Sequence, residues 1–121
     1  MAKDDYNVLV YKILLYAYAV FQKKIVFDNT EFKMSLLKDG IDEGYLDNIL
    51  KLMQDDMYIS GLSFHTAWGK EIMLINDYSD MQITSYGIEH MNDNSTMEQA
   101  KKFLIDNVDV FASLIKIVFP I

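Results

Sequence analysis

One segment leaves this chain little choice of architecture. From Asp4 or Asp5 to Gln22, the spacing of Tyr6, Val10, Ile13, Leu14, Ala17 and Phe21 predicts a helix. Its opposite face carries Val8, Leu15, Tyr18 and Ala19 and is apolar too. A helix apolar on both sides has to be covered on both sides, so the rest of the chain must be arranged around it. Asp4 and Asp5 suit its positive N-terminal end, and Lys23 and Lys24 suit its C-terminal end. The run Val8 to Phe21 is shorter than the roughly 20 residues that span a bilayer, and Lys12 interrupts it. Ala17-Tyr18-Ala19 imitates a cleavage site, but Met-Ala-Lys-Asp-Asp lacks the positive charge that opens an export signal. A buried helix in a cytoplasmic protein, with no membrane partner, is the expectation.

The elements after it follow from caps and periodicity. Lys24 to Phe27 reads as a short strand. Asp28 with Glu31 resembles a capping box, opening a second helix that turns Phe32 and Leu36 inward and stops near Gly40. Asp42 is placed to cap a third helix, with Tyr45, Leu46, Ile49, Leu52 and Met53 as its buried stripe. Glu43, Asp47, Asn48, Lys51, Gln54 and Asp55 are then its exposed positions. Met57 to Phe64 and Glu71 to Ile75 read as two strands joined by a turn at His65 to Gly69. A polar loop, Asn76 to Asp80, leads to a third short extended piece, Met81 to Ile83. Thr84 or Ser85 caps a short helix to about Asn92. Ser95 with Glu98 forms a capping box for a long last helix through Phe103, Leu104, Val108, Phe111, Leu114, Ile115 and Val118.

With 121 residues, half of them apolar, the chain suits a single domain over 1–121 with a real core. The fold class is α+β: helix, strand, helix, helix, β-hairpin, then two C-terminal helices. The second and third helices, with the tight Gly40-Ile41-Asp42 turn, read as a helix-turn-helix at about 29–55. The hairpin occupies about 57–83 and the closing helices about 84–119.

Five stretches, taken in order, carry a family resemblance. They are Tyr11-Lys-Ile-Leu-Leu-Tyr-Ala17, Asp42 to Met53, Tyr58-Ile59-Ser60-Gly61, Ile83-Thr-Ser-Tyr-Gly-Ile-Glu89 and Asn94-Ser95. Over roughly residues 6 to 104 the chain resembles the YjcQ-like family of small bacterial and phage winged-helix proteins. The resemblance implies a winged helix-turn-helix, with the hairpin as the wing, and a phage or prophage setting. It brings no catalytic residues with it.

A winged helix suggests DNA, and the charges argue against that. Net charge is −7; all eleven basic residues are lysine, and arginine is absent. Arginine is the main bidentate reader of phosphate and guanine. Along the third helix and the hairpin, Lys51 and Lys70 face Glu43, Asp47, Asp55, Asp56, Glu71, Asp77 and Asp80. Affinity for duplex DNA rests largely on phosphate neutralisation, and two lysines do not offset seven acids. Asn48 and Gln54 have the chemistry to read adenine edges, yet both are ordinary solvent-facing helix positions. The pairs Lys23-Lys24 and Lys101-Lys102 form a basic patch only if they converge; a helix cap and a solvated face are the simpler readings. A DNA-binding regulator acting as a dimer remains the alternative function. An acidic DNA mimic that blocks a host DNA-binding protein is a third.

Nothing points to an enzyme, a cofactor or a metal. His65 and His90 lie on different elements without zinc-ligand spacing, and no cysteine is present. Gly61, Gly69 and Gly87 are isolated, so no phosphate-binding loop is formed. Protein contacts are what remain. Candidate surfaces are the third-helix face (Glu43, Asp47, Asn48, Lys51, Gln54) and Trp68 at the hairpin turn. Trp68 is either a binding anchor or folded back over Met73. The last helix, carrying Phe103, Val108, Phe111, Ile115 and Val118, is expected to pair with a second copy alongside the first helix, because a bare apolar face of that size is a liability. A homodimer that binds an unidentified protein partner is the expected assembly.

Overall fold

A computed structural model describes residues 2–37, 40–66 and 68–120. Six helices are described: α1 Ala2–Phe21, α2 Asn29–Leu37, α3 Glu43–Asp55, α4 Ser85–Asp93, α5 Ser95–Asp106 and α6 Phe111–Val118. Four short strands lie between α3 and α4: β1 Ile59–Ser60, β2 Phe64–Thr66, β3 Ile72–Leu74 and β4 Gln82–Ile83. The class is α+β, as the residue patterns imply.

α1 is the centre of the molecule. Every residue from Leu9 to Ala17 is buried, Lys12 included. Helices α2 to α6 and strand β4 all contact α1, the covering on both sides that its composition demands. No described helix is long and apolar enough to cross a membrane. Lys12 is held where α5 turns into α6: its Nζ lies 3.5 Å from the Asp109 carboxylate and 5.2 Å from the Phe111 ring centroid.

Local capping explains most boundaries. Asp28 accepts from the Glu31 N–H at 2.9 Å, Asp42 from the Tyr45 N–H at 2.7 Å, and Thr84 from the Gly87 N–H at 3.0 Å. These match the sequence reading, except that the Glu31 carboxylate accepts from Tyr16 Oη at 2.9 Å. The cap of α5 is one residue earlier than expected. Asn94 accepts from the Thr96 and Met97 N–H groups at 2.9 and 3.2 Å, and Ser95 is already helical.

Three helices close on a left-handed residue other than glycine. Lys23, Met57 and Val108 have φ of 62°, 68° and 51°. In each case the next N–H bonds the carbonyl five residues back: Lys24 to Ala19, Tyr58 to Met53 and Asp109 to Leu104, at 3.0, 2.9 and 3.1 Å. This is the Schellman closure, which reverses the chain sharply. It corrects two expectations. Lys24 to Phe27 is not a strand: the chain leaves the closure of α1 and runs to α2, with the Asp28 N–H donating to Tyr16 Oη at 3.1 Å. The long last helix is two helices, broken at 107–110, so three helices close the chain instead of two. Left-handed geometry at a residue such as Val108 costs about 1–2 kcal/mol. Burial of Phe111, Ile115 and Val118 against the core offsets it.

The hairpin also differs from the expected pairing of Met57–Phe64 with Glu71–Ile75. Two short antiparallel ladders follow one another: Ile59↔Ile83 and Ser60↔Gln82, then Phe64↔Leu74, His65↔Met73 and Thr66↔Ile72. Between them the backbone of 61–63 is satisfied by side-chain amides. Asn76 donates to Gly61 O at 3.0 Å and accepts from Ser63 N–H at 2.9 Å. Gln54 donates to Leu62 O at 2.8 Å and accepts from Leu62 N–H at 2.9 Å. Unpaired buried backbone groups are costly, and these two amides replace the missing ladder bonds. Gly61, at φ 94°, passes so close to the Asp80 carbonyl that a Cβ would overlap it.

Candidate interaction surface

The root of the ribbon is locked to α2 and α3 by a polar cluster. A tight turn, Tyr78–Asp80, places the Tyr78 ring 5.5 Å from Phe32, centroid to centroid. The Tyr78 hydroxyl faces two carboxylates, Asp47 Oδ1 at 3.1 Å and Glu43 Oε2 at 3.2 Å. Asp47 also accepts from the Leu74 N–H at 3.4 Å, and Lys33 meets Glu43 at 3.1 Å. Burial, then the neighbouring carboxylates, push the Tyr78 hydroxyl far above its ordinary range, so it remains a donor. Burial likewise raises the Asp47 carboxyl, against the opposing pull of the Leu74 and Tyr78 hydrogen bonds. This arrangement clamps two elements together.

Asp47 is therefore a buried position, not the exposed one its sequence context suggests. The cause is rotation of α3. Leu46, Ile49, Leu50 and Met53 face the core, at helical i, i+3, i+4, i+7 spacing. Tyr45 and Leu52, expected to be buried, fall off that stripe; Leu52 is 50% exposed. Leu50 is the residue that would have corrected the sequence reading. The outward face of α3 is Tyr45, Asn48, Leu52 and Asp55, with Asp56 following.

Of the other expected site residues, Gln54 is occupied with Leu62. Lys51 pairs with Asp55 one turn on at 2.8 Å, and Glu43 divides itself between Lys33 and Tyr78. Of the α3 set, Glu43 and Asn48 are exposed, Lys51 and Gln54 are half-buried, and Asp47 is buried. Trp68 is 100% exposed at the hairpin tip, which decides against folding back over Met73. Met73 and Ile75 are exposed along the same ribbon. The surface thus combines apolar side chains (Tyr45, Leu52, Met73, Ile75, Trp68) with carboxylates, and Lys33 and Lys51 beside it are paired.

The proposed dimer helix is divided. Phe111, Ile115 and Val118 are core residues of α6, while Phe103 and Val108 are exposed, the latter at 84%. The two lysine pairs do send members to one place. Lys24 Nζ donates to Ile117 O at 2.8 Å, and Lys101 Nζ sits 4.5 Å over the Phe119 ring. No sequence signal joined them, since Lys24 lies in the bend after α1 and Lys101 on α5.

The Asp47 shift has a testable sign. Its folded pKa is raised above the ordinary 3.8, so its stabilising contribution is full below 3.8 and is lost as pH rises through the folded value. The unfolding free energy of wild type minus that of Asp47→Asn, from urea titrations between pH 3.5 and 7, should fall as pH rises. A difference that grows with pH would mean the ionised carboxylate is the favoured form. Elsewhere, the His90 ring stacks on Tyr58 at 4.3 Å between centroids, and burial lowers its pKa. Among the described residues no group of three or more acidic or histidine side chains is placed to hold a metal ion.

The family model described as YjcQ protein matches residues 11–107. No curated protein and no solved structure matches the chain.

Proposed function

Because the chain belongs to the YjcQ protein family, we propose that it is a winged-helix protein, of phage or prophage type, that binds another protein through α3 and the wing. In this reading α2 and α3 are the helix-turn-helix and the β2–β3 ribbon is the wing. The protein is non-enzymatic and works in the host cytoplasm. The observation that carries the reading is the outward face of α3. A DNA reader needs cations there to meet phosphates. This helix presents Tyr45, Asn48, Leu52 and Asp55, and its one lysine, Lys51, is bound to Asp55. Exposed Leu52 and Trp68 beside carboxylates suit a partner with apolar pockets and a basic rim.

Fluorescence anisotropy of a labelled random-sequence duplex, titrated at low and then physiological salt, tests this directly. The expected result is no binding at either salt. Binding that weakens steeply with salt would overturn the reading in favour of a DNA-binding regulator. A photo-crosslinker at position 52 should then capture a host protein that the same probe on the α1–α5 side does not.

A further inference from the structure

The fully exposed Trp68 side chain and an apolar groove of this molecule fit one another. The groove lies between α2 and α6 and has a volume of about 220 Å³. Tyr16 and Phe111 form its floor, Ile25, Leu114 and Ile117 line it, and Glu31 and Ser35 edge it. An apolar cavity of about 150 Å³ accommodates a single benzene ring, so this one suits a bicyclic aromatic. Glu31 gives it polar chemistry: the carboxylate already accepts from Tyr16 Oη and has lone pairs left for an N–H donor. An apolar double ring with one N–H donor is an indole.

Trp68 is the only tryptophan of the chain, and it buries none of its surface at the hairpin tip. We propose that the Trp68 indole of one copy occupies the α2–α6 groove of a second copy, with its N–H donating to Glu31. Charge favours the same partner. The end of the molecule that carries the groove has Lys24 on the Ile117 carbonyl, exposed Lys23 and Lys116, and Lys101 over Phe119. The ribbon bearing Trp68 has exposed Glu71, and Asp77 and Asp80 are exposed at its root, against the single lysine of that stretch, Lys70. Opposite potentials steer such faces together. The self-association expected from the sequence is thereby moved from the core face of α6, which is covered within one chain, to a contact between the wing and the groove. The inference deepens the reading of the wing as a protein-binding element and rests on it.

The lone tryptophan makes the test direct. Emission of the full chain, followed with light scattering over a concentration series, should shift to shorter wavelength as apparent mass rises. Trp68→Ala and Ile117→Glu, the latter placing a charge on a half-exposed lip of the groove, should each stay monomeric, with unchanged far-UV circular dichroism. Mixing the two restores the contact, because one supplies an intact groove and the other an intact indole. Since only Ile117→Glu retains a tryptophan, its emission should shift to shorter wavelength when Trp68→Ala is added and saturate at one to one. Emission independent of concentration overturns self-docking and leaves the broader reading to its own duplex titration. A shift that survives Ile117→Glu overturns the groove as the binding site.

Discussion

Gly87→Ala is expected to destabilise this protein by about 3 kcal/mol, through overpacking and loss of hydrogen bonds. In a helix interior the same change ordinarily stabilises by about 1 kcal/mol, because glycine is a poor helix former. The sign differs here because of what Gly87 touches. It lies in the first turn of α4, and a Cβ there would overlap the Tyr58 carbonyl oxygen and come within 2.9 Å of Ile83 Cγ1. That carbonyl accepts from the Thr84 N–H at 3.1 Å, while the Thr84 hydroxyl donates to the Met57 carbonyl. The end of α3, strand β4 and the start of α4 are thus tied at one point. Admitting a methyl group pushes α4 off that point and loosens all three. For a domain of this size, about 3 kcal/mol lowers the melting midpoint by roughly 10 °C. A thermal melt settles it; a midpoint equal to or above wild type would mean that α4 has room to move.

Asp109→Ala should cost about as much, by a different route. Asp109 is the side chain the structure places against Lys12, whose side chain is 5% exposed in the middle of α1. Removing one partner of a buried pair typically costs about 3–5 kcal/mol, since the remaining charge loses that partner without regaining water. Asp109 also accepts from the Phe111 N–H at 2.9 Å and so caps α6, which adds about 1 kcal/mol. Replacing both charges, as in Lys12→Met with Asp109→Ala, should recover much of the ion-pair loss and leave the cap deficit. A double-mutant cycle by urea unfolding measures this. Additive losses would show that the two side chains do not act as a pair.

Both predictions depend on contacts between segments far apart in the chain, and the same division runs through the whole reading. Asp28, Asp42 and Thr84 were legible as caps because each acts on an N–H within three residues of itself. The Schellman ends were not legible. Glycine is the signal for such an end, and here Lys23, Met57 and Val108 hold the left-handed position. The apolar spacing continues through 107–110 as though one helix ran on. At the candidate surface, Asn48 was legible as exposed, whereas the sequence left Trp68 open between an exposed anchor and a cover over Met73. Asp47 was not legible as buried, because the groups that take it in, Tyr78 and the Leu74 N–H, come from the far side of the ribbon. Exposed Leu52 was obscured by a stripe that took in Tyr45 and Leu52 and left out Leu50.

Composition and spacing alone determined that α1 would be central and that the chain would be α+β. They also determined that the helix pair would be acidic and without arginine. These are properties of single segments: periodicity, capping and charge act over a few residues. Only the tertiary structure decided the rotation of α3, the break between α5 and α6, the exposure of Trp68 and the convergence of Lys24 and Lys101 on the end of α6. Each of these is a choice among nearly equivalent local conformations. Such a choice is made by whichever one lets distant side chains pack, pair or satisfy a buried polar group.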